Sequence, residues 1–148
     1  MAKNIKMGGI NSPVIVVDLR VTTPASNVTP GSLAPLSGTP VLCNRIPGVA
    51  EGDIEPTTGL TPVNISCVAE LSVVGTNQSG NILVAVGDAL YIDSSSGVIS
   101  KDTTKVAFGW AFGNALDVSN ALGTDTRTGT IIASGATATI RVWVGKKD

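Results

Sequence analysis

The chain has 148 residues, 43% of them hydrophobic but only 3% aromatic and 14% charged, with a formal net charge of −1. That length suits one domain, and ten scattered Lys and Arg residues argue against nucleic acid as a partner. No apolar run approaches the roughly 18 residues of a membrane span, and the absence of histidine removes the usual general base and the commonest metal ligand.

Residues 1–13 read as an N-terminal arm. They carry Lys3, Lys6 and Gly8-Gly9 and show no periodicity. Such a terminus is either a frayed tail or a peg that orders on a partner surface. Val14 to Val21 is the first expected strand, with Ile15, Val17, Leu19 and Val21 on one face and Asp18 and Arg20 on the other. Thr22 to Pro40 has no charge and carries Pro24, Pro30, Pro35 and Pro40. Proline removes a backbone donor and fixes φ, so this Pro/Thr-rich segment 22–40 reads as extended chain laid on protein surface. Leu33 and Leu36 are its large apolar groups.

Val41 to Asn44 reads as a short strand stopped by Pro47-Gly48. Glu51-Gly52-Asp53-Ile54-Glu55 is an acidic loop, and Pro56 to Gly59 a turn. Val63 to Val74 has the clearest alternation. Val63, Ile65, Cys67, Ala69, Leu71 and Val73 point one way; Asn64, Ser66 and Glu70 point the other, with Val68 and Val74 as apolar exceptions. Asn77 to Gly80 is a turn, and the apolar run Ile82 to Val86 fits a strand buried on both faces.

Gly87 to Ser100 reads as a hairpin. Leu90 and Ile92 alternate with Ala89 and Tyr91, the turn is Asp93-Ser94-Ser95-Ser96-Gly97, and Val98-Ile99 restarts the apolar pattern. In Lys105 to Gly113, strand geometry puts Phe108, Trp110 and Phe112 on one face, facing either the core or a subunit seam. Ala115 to Leu122 reads as one or two helical turns ended by Gly123. Thr130 to Ala133 is a short strand before a Ser134-Gly135 turn. The last strand turns Ala138, Ile140, Val142 and Val144 inward, and Thr137, Thr139, Arg141 and Trp143 outward. An outward tryptophan is buried only if something covers that face.

These elements predict an all-β fold: a compact antiparallel β-barrel or sandwich, jelly-roll or tulip-like, formed by residues 14–148 with the extended arm before it. No Gly-x-Ser-x-Gly elbow or Walker loop occurs, and Cys43 and Cys67 lack CxxC spacing. A hydrolase would have to use two of Glu51, Asp53, Glu55, Glu70, Asp88 and Asp93. The expectation is a protein that is not an enzyme and takes no cofactor or metal.

The Gly87-Asp88-Ala89-Leu90-Tyr91 hairpin entry, the Gly-containing strand Val106 to Gly113, and the final strand Ala138 to Val144 occur in an order that resembles the capsid cement, or head decoration, proteins of tailed bacteriophages. The opening Met1-Ala2-Lys3-Asn4 is similar too. The resemblance spans roughly Val63 to Val144 and the first few residues, whereas Val21 to Pro62 is longer and richer in Pro and Thr than the family pattern. It implies a structural virion protein, made in the host cytoplasm, that binds the outer surface of the head and cements neighbouring copies of the major capsid protein. It also implies self-assembly, with a homotrimer at local threefold positions favoured and a homodimer at twofold positions next. Asn4, Ile5, Lys6, Met7, Leu33 and Leu36 are then the capsid-contact candidates, and Trp110, Trp143 and Arg141 the subunit-interface candidates. The alternative is a phage tail or surface β-domain that recognises a receptor or glycan.

Overall fold

The computed structural model describes residues 15–23, 37–114 and 130–145. Its strands in chain order are β1 Ile15–Leu19, β2 Pro40–Cys43, β3 Ile46–Ala50, β4 Thr61–Val74, β5 Thr76–Asn77 and β6 Gly80–Asn81. They continue with β7 Val84–Ala85, β8 Ala89–Ile92, β9 Ile99–Ser100, β10 Val106–Asn114, β11 Thr130–Ile132 and β12 Thr137–Val144. Among the described residues no helix occurs. The arm, the greater part of the Pro/Thr-rich segment and the helical turns expected after Ala115 lie outside the described residues, and so do Asn4, Ile5, Lys6, Met7, Leu33 and Leu36.

β4 organises the molecule because its 14 residues serve two sheets. Its C-terminal half pairs with β12, from Val144↔Cys67 to Thr137↔Val74. β12 pairs with β10, β10 with β8, and β8 with β9. β9 returns to β4 through the pairing Val73↔Ile99, the one parallel contact in an otherwise antiparallel circuit. The wall is therefore a closed barrel, which leaves no free edge along the circuit. The N-terminal half of β4 carries β1 on one side and β3 on the other, with β2 beyond β3.

Two clusters fill the interior. Leu71, Val73, Leu90, Ile92, Ile99, Phe108, Ile140, Val142 and Val144 pack inside the barrel with Leu42 and Val49. Val21, Val41, Cys43, Ala50 and Val63 form the second. Successive residues of β2 thus point into different cores, Leu42 into the barrel and Val41 and Cys43 away from it. Here are the strands buried on both faces. Ile82 to Val86 does not behave as its apolar run predicts: only Val84 is fully buried, Leu83 is exposed, and the strand is just β7, paired with β11.

Three further readings are corrected. Pro47-Gly48 does not stop a strand; it lies inside β3, after a tight Asn44-Arg45 turn in which Asn44 has φ 58°. Pro47 tolerates this place because β4 joins β3 only at Val49 and Ala50. Gly48 is required because a Cβ there would lie 2.3 Å from Val63 Cγ1. In β1, Val16 is the buried residue, while Ile15, Val17 and Leu19 are half-buried, with a register shift between Ile15 and Val16. Lastly, Phe108, Trp110 and Phe112 do not share a face. β10 changes register against β8 between Ala107 and Gly109, and against β12 between Ala111 and Gly113. Phe108 is consequently fully buried, while Trp110 and Phe112 turn outward.

The β8–β9 hairpin follows its predicted turn chemistry. Asp93 Oδ1 accepts hydrogen bonds from the amides of Ser95 (2.8 Å) and Ser96 (2.9 Å), and Asp93 Oδ2 lies 2.7 Å from Lys105 Nζ. The Lys105 ammonium first, then the Ser95 hydroxyl and the two amides, hold the Asp93 carboxyl well below the usual carboxylate range. Glu55 is held down to about 2 by the Thr58 hydroxyl and the amides of Thr57 and Thr58 in its own turn. Both pKa values are depressed on folding, so their stabilisation is complete above the unfolded values of about 4 and is lost as pH falls below them. Solvent screening keeps the effect small at these exposed sites. The urea midpoint is expected to fall between about pH 5 and pH 2, and Asp93→Asn to flatten part of that fall. An unchanged acid limb in the variant would assign the loss to other groups.

Candidate interaction surface

The outer wall of the barrel over β4, β12 and β10 carries a continuous apolar surface. Alternation along β12 sends Ile140, Val142 and Val144 inward and leaves Trp143 50% exposed. The register shifts in β10 bring Trp110 opposite Trp143, with ring centroids 5.4 Å apart at 42°. This tilted packing is a favourable aromatic geometry. On the other side of Trp143 stands its partner in β4, Val68, 45% exposed. Phe112 is equally exposed and lies under the Arg141 guanidinium, whose carbon is 5.7 Å from the ring centroid. Arg141 in turn pairs in register with the exposed Glu70 of β4.

A trough of about 340 Å³ opens beside the tryptophans, lined by Val86, Gly87, Trp110, Ala111, Phe112 and Trp143. Its far wall, Val86-Gly87, is held by a polar clamp. Asp88 Oδ2 accepts from the Ala85 amide (2.8 Å) and from Lys101 Nζ (2.7 Å), and Lys101 also donates to the Leu83 carbonyl (3.2 Å). Two backbone bonds then tie this segment to β10, Gly87 N–H to Ala111 O (2.7 Å) and Ala111 N–H to Asp88 O (2.9 Å). The Gly-Asp pair that opens the hairpin thus braces the trough.

All three subunit-interface candidates, Trp110, Trp143 and Arg141, fall on this one surface. Sequence reasoning allowed Phe112 a subunit seam but did not name it among the interface candidates, and it missed Val86 and Gly87 as a wall. Val68 did carry a signal, as an apolar residue at a polar phase of its strand.

Four of the carboxylates offered for hydrolysis are engaged in local structural contacts. Glu51 accepts from Asn64 Nδ2 (3.0 Å), Glu55 and Asp93 belong to their own turns, and Asp88 is in the clamp. A general acid needs a raised pKa, whereas those of Glu55 and Asp93 are lowered. Among the described residues no group of three or more Cys, Asp or Glu side chains is placed to hold a metal. Cys43 and Cys67 are free thiols; burial pushes both up to about 11, with the Glu51 charge adding to the effect at Cys67. Thiolate chemistry is disfavoured there.

No protein-family model, curated protein or solved structure matches this chain.

Proposed function

We propose that this chain is a structural virion protein that binds the outside of a phage head and cements neighbouring major capsid protein subunits, acting as a small homo-oligomer. The observation that carries the reading is the outward Trp143–Trp110–Phe112 surface on a closed barrel wall. A chain with only five aromatic residues places three of them there. Contiguous exposed apolar surface of this kind marks an interaction site. The segments that carry the family resemblance, the β8–β9 hairpin, β10 and β12, also run side by side in the same wall. A closed wall suits a mechanical task, in which added contact area resists the outward push of packaged DNA.

The surface also bears on the receptor or glycan reading. Tilted tryptophans offer a stacking platform for a sugar ring. The trough, however, is lined by carbon from Val86, Ala111, Phe112 and the indoles, with few groups to bond hydroxyls. Protein contact is therefore the better fit.

The test is to mix the purified chain with expanded heads that lack it, from the phage that encodes it. Ordered density on the outer surface is expected, together with heads that withstand more heat. Attachment by apolar burial and backbone pairing should persist to about 1 M salt, where exposed ion pairs are screened. Heads that stay bare, with unchanged fragility, would sink the cementing reading.

A further inference from the structure

The β4–β12 face carries paired complements. Val68 lies opposite Trp143, and Glu70 opposite Arg141, in adjacent outward rows of the same two antiparallel strands. The next row, Ser72 opposite Thr139, is exposed and uncharged. Each of the first two rows therefore pairs a large group with a small one, or a cation with an anion. We propose that this face binds a second copy of the same chain through a twofold axis lying between β4 and β12 and parallel to them. This deepens the cementing reading, which calls for a homo-oligomer, and it is tested apart from it.

Rotation about such an axis preserves position along the strands and exchanges β4 with β12. The indole of Trp143 then meets the partner's Val68, and Arg141 meets the partner's Glu70. Both contacts occur twice, as an isologous interface requires. The bulky indole fills the space above the small valine, and opposite charges face each other. A strongly acidic or basic partner would leave either Arg141 or Glu70 against a like charge, whereas a second copy leaves neither. The remaining apolar surface, Trp110, Phe112 and the trough, lies on the β10 side of this face. Of the two oligomers expected from the sequence, this pairing favours the dimer.

Charge-swapped mixing tests the proposal directly. The parent protein is expected to sediment as a dimer. Glu70→Arg alone sets Arg141 against the partner's new arginine, and Arg141→Glu alone sets two carboxylates together. Each variant should raise the dimer Kd by about tenfold or more. An equimolar mixture should restore the dimer, because every contact between the two different chains is again oppositely charged. A salt bridge within one chain cannot be rescued by mixing, so recovery reports contact between copies. Val68→Glu, at an exposed position, gives a second disruption, and near-ultraviolet circular dichroism of the tryptophans checks that each variant is folded. A parent monomer or trimer overturns the proposal, as does a dimer indifferent to these substitutions or a mixture that stays monomeric. Binding to heads is scored separately. A dimer that ignores heads leaves the twofold face standing and removes the cementing role; a monomer that coats them does the reverse.

Discussion

Gly109→Ala is expected to cost about 3 kcal/mol or more, at or beyond the upper end of overpacking effects. Gly109 pairs with Leu90 of β8 on one side and Val144 of β12 on the other. A Cβ built there lies 2.1 Å from the Trp143 carbonyl oxygen, 3.0 Å from its carbonyl carbon and 3.2 Å from Val144 Cα. All three atoms are backbone, so no rotamer change relieves the overlap. β10 and β12 must move apart, and their ladder is part of the circuit that closes the barrel. Against a typical total stability of about 5–15 kcal/mol, that loss threatens folding itself. Gly145→Ala is the matched control, since a Cβ there meets nothing within 4 Å. Urea unfolding of the two variants gives the comparison. If Gly109→Ala unfolds at the same midpoint as Gly145→Ala, β10 and β12 are not in the close contact described.

Phe108→Ala is expected to destabilise by about 3–5 kcal/mol, while Phe112→Ala changes stability by less than about 1 kcal/mol. The two residues are separated by four positions, and regular strand alternation would give them the same environment. Instead Phe108 is the largest fully buried side chain among the described residues, and Phe112 is 45% exposed. Truncating Phe108 removes packing from the buried barrel cluster and leaves a cavity there. Truncating Phe112 removes an outer wall of the trough and the ring beneath Arg141. The difference between the two urea midpoints therefore measures the phase change in β10. Equal losses would mean that the strand is regular and that both rings face the core.

The aromatic surface links these stability effects to association. Its indoles stand on β10 and β12, the same strands whose closure depends on Gly109. The backbone that forbids a side chain at Gly109 also sets Trp110 opposite Trp143. A variant that loosens this seam should impair self-association along with stability, whereas Val68→Glu or the charge swaps should impair association alone.

What the sequence determined by itself was the local pattern. β12, the C-terminal part of β4 and the β8–β9 hairpin were legible because period-two alternation and Asp-Ser-Gly turn chemistry depend on neighbouring residues only. The outward direction of Trp143 and the odd apolar phase of Val68 could be read for the same reason. Other features rest on contacts between distant segments. Pro47 and Gly48 look like a stop signal, but their place in β3 is decided by where β4 begins to pair and by the Val63 side chain against Gly48. The apolar run Ile82 to Val86 could not show that only Val84 would find a core. The split of Phe108 from Trp110 and Phe112 follows from register shifts against two neighbouring strands, which alternation in one strand does not encode. The choice of a barrel over a sandwich likewise lies in which strands meet: β12 along β4, and Ile99 of β9 beside Val73. Tertiary structure alone decided these points, because a strand's own pattern tells which face is apolar but leaves its neighbours and register to the packing of the whole chain.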